Sequence, residues 1–138
     1  MKTYLLLFGI LFSVAAFGQK PMIFVLRAPD VERLPRGAQW MVALADANGN
    51  TINRYAFSAN SKYQTVELPS QDFGTYTASF YLDLNGNNTL DKGYFGQPKE
   101  PYAFSNNARE MFSQPSVSSQ RFYFKGDPIR VLLEYHFE

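Results

Sequence analysis

The sequence predicts an all-β domain, a single sandwich of about seven strands with a long ordered loop between the last strands. Three observations predict it. Apolar residues recur at every second position after residue 21, as in half-buried strands. Signals for helix are almost absent, and Pro, Gly, Asn and Asp separate the apolar runs.

Seven runs rich in β-branched and aromatic residues are the predicted strands: 22–26, 40–45, 51–57, 63–68, 75–82, 121–124 and 129–137. The last run alternates most clearly. One face carries Ile129, Val131, Leu133, Tyr135 and Phe137, and the other carries Arg130, Glu134, His136 and Glu138. We expect the first face to belong to the core.

Residues 1–18 are predicted to be a signal peptide, which leaves a β-sandwich domain at 19–138. Lys2 precedes an uncharged apolar run that continues to Phe17, too short to span a bilayer comfortably. Ala16 and Gly18 provide the small residues of a cleavage site, so the mature chain is expected to start at or near Gln19. The alternative is a buried N-terminal strand or helix. Export to the periplasm, the cell surface or the medium follows from the first interpretation, with no transmembrane segment after cleavage.

Charge and cysteine content exclude some classes of function. The chain has 13 Lys and Arg against 12 Asp and Glu, and loss of Lys2 would make it formally neutral, so nothing favours nucleic acid as a partner. Small exported domains are often stabilised by disulfides, but this chain has no cysteine. Any further cross-link must be a metal ion or packing.

Two turns have recognisable chemistry. The Asn48-Gly49 pair lies between two predicted strands and favours a tight hairpin, because both residue types accept positive φ. Pro69 and the Gly74-Thr75-Tyr76 entry into the next strand resemble the corner of immunoglobulin-like and transthyretin-like sandwiches, in which a tyrosine hydroxyl bonds to the upstream backbone. The predicted fold is therefore a sandwich of the immunoglobulin-like or transthyretin-like type. Tyr76 is therefore either this corner residue or an ordinary core residue.

The strand pattern stops after Asp83 and resumes near Gln120. A connection of that length usually has a function or is ordered by interactions other than strand pairing. The connection opens with side-chain oxygens at the first, third, fifth and ninth positions of an EF-hand-like loop and a backbone carbonyl at the seventh, which predicts a weak Ca²⁺ site. The predicted ligands are Asp83, Asn85, Asn87, Thr89 through its carbonyl, and Asp91, with Glu100 or water as a further oxygen.

Two features of this loop depart from an EF-hand. Glycine stands at the fourth position, Gly86, and the twelfth is Tyr94 where an EF-hand has glutamate. The alternative is a polar turn without metal. Lys92, a positive charge next to Asp91, favours this alternative. Residues 46–50 repeat the Asp-x-Asn-Gly-Asn pattern but continue to Arg54 at the ninth position, which predicts a plain turn.

The same region resembles domain of unknown function 2141. The resemblance rests on the strand 76–83 (YTASFYLD), the loop that follows with Leu90-Asp91, and the segment 95–108 (FGQPKEPYAFSNNA). It implies an exported bacterial β-sandwich, commonly from Bacteroidetes-type organisms, with no assigned activity. Members often have His before the first Asp of the loop and an acid after it, where this chain has Leu82 and Leu84.

Aromatic and amide side chains in the connection are candidates for a binding surface: Tyr94, Phe95, Tyr102, Phe104, Asn106 and Asn107. Flat rings can stack on a glycan, but the rings can equally pin the connection to the sandwich. In that case the segments 99–101 and 105–107 are hydrogen-bonding corners.

The sequence therefore predicts a non-catalytic exported module that binds a cell-surface or periplasmic protein or a glycan through a calcium-ordered segment. A carbohydrate-binding module is the alternative, followed by a hydrolase that uses Asp83, Asp91 or Glu100 as acid and base. His136 is the only histidine and is expected to be a solvated surface residue.

Overall fold

The structure, a computed structural model, describes residues 18–110 and 113–135. Eight strands form in this part of the chain, and the connection between the fifth and the seventh also contains a 3-10 turn at Ser105–Asn107 and a four-residue helix, α1 (Val117–Gln120). The strands are β1 (Gln19–Arg27), β2 (Gln39–Asp46), β3 (Thr51–Ser58), β4 (Tyr63–Asp72), β5 (Gly74–Asp83), β6 (Tyr102–Phe104), β7 (Phe122–Phe124) and β8 (Ile129–Leu132).

The strands form two sheets that face each other. The first has the order β4-β1-β8, in which β1 is antiparallel to β4 and parallel to β8. The second has the order β3-β2-β5-β6, and β7 pairs with the beginning of β5. Strand β5 is thus central, and its register with β2 places Asp83 opposite Gln39.

Apolar side chains from both sheets fill the space between them. In β1, Met22, Phe24 and Leu26 are fully buried and alternate with more exposed residues. The ring of Phe24 meets that of Phe80 from β5 edge-on, with centroids 4.9 Å apart. This contact joins the sheets at the centre of the core and adds an aromatic interaction to the area that both rings bury. The all-β sandwich that the sequence predicts is confirmed.

The long connection is more structured than predicted. Strand β6 was not predicted, because three residues are too few for a pattern to show. It pairs with β5 between Ser79 and Tyr81, so the chain returns to the same sheet after the loop. Strand β8 ends at Leu132, and among the described residues that follow it, 133–135, Glu134 forms a bridge with Tyr102. Residues 1–17, which include most of the predicted signal peptide, and 136–138, which include His136, lie outside the described residues.

Both interpretations of Tyr76 are correct. Its hydroxyl donates a hydrogen bond of 2.6 Å to the carbonyl oxygen of Asp72, which is the predicted corner. Its ring also belongs to the core, where it packs against Phe122 and Phe124. Burial, with a smaller contribution from the charge of Asp72, raises the pKa of Tyr76, so the hydroxyl remains a donor.

Replacement of Tyr76 by Phe tests this corner. The variant keeps the ring but leaves the Asp72 carbonyl without its donor, and we expect a loss of about 1 to 2 kcal/mol in the free energy of unfolding. Urea denaturation measures it. The control is Tyr123→Phe, since Tyr123 is 67% exposed and its change should stay within about 0.5 kcal/mol. Equal effects in the two variants would contradict a stabilising corner.

Candidate functional site

The loop at 83–91 is organised around the buried side chain of Asp83. Although the side chain is polar, Asp83 has 0% exposure at the end of β5. One carboxylate oxygen accepts the backbone N–H groups of Gly86 at 3.0 Å and Asn87 at 3.3 Å, and the other accepts that of Asn88 at 2.8 Å. These bonds compensate the carboxylate for the water it loses and wrap the backbone around it.

Two left-handed residues produce the tight curve of the loop. Gly86 has φ +69°, and a β-carbon there would lie 2.7 Å from the carbonyl oxygen of Gly37, so only glycine fits. Asn88 has φ +64° and occupies the sixth position, where an EF-hand has glycine. Asparagine is among the non-glycine residues that adopt this conformation most readily. The sharp turn of an EF-hand is therefore present despite the shifted glycine.

Three of the predicted ligands converge on one point. The amide nitrogens of Asn85 and Asn87 donate to the two carboxylate oxygens of Asp91, at 2.6 and 2.9 Å. Their amide oxygens accept the backbone N–H groups of Asn87 and Thr89, at 3.2 and 3.1 Å. The bonds from Asn87 and Asn85 lower the pKa of Asp91, which is therefore ionised at neutral pH.

The side chain of Glu100 binds the backbone at both ends of the loop. It is 4% exposed, and its oxygens accept the backbone N–H groups of Leu84 at 2.6 Å and Asp91 at 3.0 Å. Burial raises its pKa, the two backbone N–H groups oppose that shift, and the charges of Asp83 and Asp91 add to it. Glu100 is thus a clamp on the loop backbone, with both oxygens already engaged.

The donor set limits what kind of ion the loop can hold. In residues 18–110 and 113–135, no three Asp, Glu, His or Cys side chains form a group able to hold a metal ion. A cation would therefore need amide and carbonyl oxygens as well as carboxylates, which is the donor set of Ca²⁺. Leu82 is buried in the core and Leu84 packs against it, so both leucines contribute packing to the base of the loop.

The second Asp-x-Asn-Gly-Asn segment has a different structure. Asp46 accepts the backbone N–H groups of Asn48 and Asn50, each at 2.9 Å, and its own N–H donates to the carbonyl of Asn50 at 2.9 Å. This is a closed hairpin between β2 and β3, as the sequence predicts. No equivalent of Asp91 follows it, because the ninth position is Arg54 within β3.

The exposed tip of the connection is a small turn at 92–98, which we call the aromatic turn. Lys92 bridges to Pro98, and the N–H of Gly93 donates to the carbonyl of Gln97 at 2.7 Å. Tyr94 and Phe95 at the tip are 95% and 86% exposed. Their rings touch each other edge-on, with centroids 5.1 Å apart and planes at 84°.

The other aromatic and amide candidates pack or form hydrogen bonds within the long connection. Tyr102 and Phe104 are half-buried in β6. The amide of Asn106 donates to the carbonyl groups of Ser119 and Arg121, and the side-chain oxygen of Asn107 accepts the N–H of Leu132 at 3.4 Å. Asn106 and Asn107 both have positive φ, which suits them to the expected corner.

Two polar contacts of this region were missed by sequence reasoning. The amide of Gln39 donates to the side-chain oxygen of Asn88 at 3.0 Å and ties the loop to β2. The hydroxyl of Ser105 is buried, accepts the N–H of Ala78 at 2.9 Å and donates to the carbonyl of Gln120 at 2.5 Å. Gln39 belongs to no motif. Ser105 lies in the expected corner at 105–107, but its partners Ala78 and Gln120 are distant in sequence, so the sequence offers no signal for them.

The fold and this site define a class of protein: a small cysteine-free β-sandwich whose central strand runs into an oxygen-rich, acid-clamped loop. A family model described as "Uncharacterized protein conserved in bacteria (DUF2141)" matches residues 44–131. The chain belongs to this family, as its resemblance to the signature at 76–108 indicates. No curated protein and no solved structure gives a match.

The pH dependence of stability tests the environment of Glu100. Because its pKa is raised above 4.5, the native carboxyl group binds a proton at a higher pH than the unfolded one does. With chelator present, its contribution to the free energy of unfolding therefore increases as pH falls from 7 towards 5. The pKa of Asp91 is lowered, so its contribution to the free energy of unfolding is lost only below pH 3.8, the ordinary pKa of aspartate. That loss lies outside the range from pH 7 to 5.

The measurement is urea denaturation of wild type and Glu100→Gln between pH 7 and 5. We expect wild type to gain stability relative to the variant as pH falls. The control is Glu67→Gln, at an exposed position of β4, which should leave that pH trend unchanged. A wild type that loses stability relative to Glu100→Gln over this range would show that burial does not govern this carboxyl group.

Proposed function

We propose that the protein is a non-catalytic, exported binding module in which Ca²⁺ orders the loop at 83–91 and thereby holds the segment up to Asn107 for a ligand. One observation carries the proposal. The side chains of Asn85, Asn87 and Asp91 meet on one side of a loop that turns around Asp83 with the left-handed sixth residue of an EF-hand. Half a turn of each amide about its last torsion would direct oxygen instead of nitrogen to this point.

Electrostatics supports a cation at this place. The carboxyl groups of Asp83, Asp91 and Glu100 interact, since the first two charges raise the pKa of Glu100. Among the residues that the structure describes, the ion pairs are Arg109–Glu134 and Lys125–Asp127, and neither includes these acids. A divalent cation would reduce the repulsion between the acids and stabilise the loop, since buried charges need partners.

The expected affinity is low. Two carboxylates, two amides and a carbonyl are a modest donor set for Ca²⁺, so we expect a dissociation constant of roughly 0.1 to 1 mM. A site of that strength fills only where calcium is in the millimolar range, as it is outside the cytosol. The proposed ion therefore requires the proposed export.

The carboxylates are less suited to hydrolysis. Asp83 and Glu100 are buried, and each already accepts backbone N–H groups with both oxygens. A general acid or base must reach the substrate within hydrogen-bonding distance. The exposed rings favour binding instead, and carbohydrate is the second candidate ligand because Tyr94 or Phe95 could stack on a sugar.

Calcium titration of the purified domain tests the ion. At about ten times the dissociation constant, Ca²⁺ should add about 1.4 kcal/mol to the free energy of unfolding. For a domain of this size the melting temperature should rise by a few degrees. Asp91→Asn should abolish the rise, because it removes a carboxylate that the ion needs.

The repeated motif provides the matched control. Asp46→Asn changes the same type of residue in the hairpin loop, and we expect its calcium-dependent shift to equal that of wild type. The absence of a shift in wild type, or an equal shift in Asp91→Asn, would contradict the calcium site.

N-terminal sequencing tests export. When the full-length chain is expressed in a bacterial host, we expect the protein recovered outside the cytosol to begin at Gln19 or within about two residues of it. Replacement of Leu6 and Leu7 by Asp should block processing, because signal peptides need an uncharged apolar run. Recovery of uncleaved protein in the cytosol only would exclude export.

A further inference from the structure

We propose that the aromatic turn docks the protein on an anionic phospholipid membrane, with Tyr94 and Phe95 inserted into the interfacial layer and Lys92 and Lys99 on the head groups. The proposal names a ligand for the binding module and so rests on the proposed function. The described chain contains no helix with the length and apolar character to cross a bilayer, and this docking needs none.

The exposure of the two rings is the first argument. Other large hydrophobic side chains at the surface keep more of their area covered: Tyr123 is 67% exposed, Ile52 51% and Tyr63 50%. Tyr94 and Phe95 are adjacent, reach 95% and 86%, and contact each other at the tip of a turn. Two neighbouring rings that are both exposed form an apolar patch, and such patches are typical of surfaces that become buried in a complex.

The shape of the turn is the second argument. Its backbone is closed by its own hydrogen bonds, from Gly93 to Gln97 and from Gly96 to Gly93, so the tip projects as a defined turn. The two rings lie side by side at the tip, with their planes at 84°. A projecting pair of adjacent rings can insert into the interfacial layer of a membrane. Tyrosine favours the membrane interface because one end of it is apolar and the other polar.

Charge is the third argument, and it favours an anionic membrane. Lys92 and Lys99 are exposed on the two arms of the turn. Of the neighbouring acids, Asp83 and Glu100 are buried, while Asp91 lies close enough to Lys99 for their charges to interact. Basic residues beside inserted aromatic rings are the usual combination of an interfacial anchor.

The adjoining loop brings charges of both signs. The carbonyl of Gly37 packs against Gly86, so the segment before β2 lies beside the 83–91 loop. This segment carries exposed Arg33 and Arg36 together with exposed Asp30 and Glu32, so these four formal charges balance. Basic side chains near a membrane strengthen its attraction for the protein, and salt weakens that attraction.

Co-sedimentation with vesicles tests the proposal on the mature chain. We expect binding to vesicles of phosphatidylcholine mixed with phosphatidylglycerol, and binding at least about tenfold weaker to phosphatidylcholine alone. The double variant Tyr94→Ser, Phe95→Ser should also lose about tenfold or more in affinity for the mixed vesicles. The matched control, Ile52→Ser with Tyr123→Ser, removes two exposed apolar side chains elsewhere and should bind as wild type does.

Fluorescence reports insertion directly. Phe95→Trp places an indole at the tip, while the native Trp40 is fully buried and provides a constant background. On mixed vesicles the emission of the new tryptophan should shift to shorter wavelength and be quenched by brominated lipid. Emission that stays unchanged while the protein sediments with the vesicles would show adsorption without insertion and overturn the proposal.

The remaining outcomes separate this proposal from the proposed function. Equal vesicle binding by wild type and the double variant, or tip-dependent binding to glycans or to a protein without vesicle binding, would overturn the membrane proposal. Calcium binding is measured on the same samples by calorimetry. Calcium binding without vesicle binding overturns docking and leaves the calcium site, and vesicle binding without calcium binding supports docking and removes calcium from the proposed function.

Discussion

The buried carboxylate of Asp83 is the constraint on which the rest of the polar region depends. Strand β5 ends there, and the chain leaves the sheet with its backbone N–H groups unpaired. Asp83 and Glu100 together accept five of them, those of Leu84, Gly86, Asn87, Asn88 and Asp91. These two side chains thereby take the place of strand pairing in the loop. After the loop, the chain pairs with β5 again through β6. Without these acceptors the loop would have polar backbone groups buried without partners, which is unfavourable.

This solution differs from the one that small exported domains often use. Such domains often fix long connections with disulfides, and this chain has no cysteine. Acids serve the same purpose here, but two buried carboxylates with a third close by repel each other. The proposed calcium ion would relieve that repulsion where it is strongest. Loop order would then depend on the ion, and with it the position of the aromatic turn that we propose as the ligand-binding tip.

Much of the architecture was predictable because it is local. The alternation in β1 and β8, the hairpin at Asn48-Gly49 and the corner at Tyr76 each follow from a few consecutive residues. Strand β6 and the clamp by Glu100 were not fully predictable, since they depend on contacts between residues distant in sequence. The loop was located from its spacing alone, whereas the role of Asn88 as its left-handed sixth residue required the backbone angles. The sequence also could not separate the exposed rings of Tyr94 and Phe95 from the half-buried Tyr102 and Phe104, because both pairs have the same composition.

The most direct test of the central claim is an experimental structure of residues 19–138 in millimolar calcium. The account predicts a cation at about 2.3 to 2.6 Å from side-chain oxygens of Asp83, Asn85, Asn87 and Asp91 and from the carbonyl of Thr89. Both asparagine amides should then direct oxygen to the ion. A loop in which Asn85 and Asn87 still donate to Asp91 at saturating calcium would contradict the account.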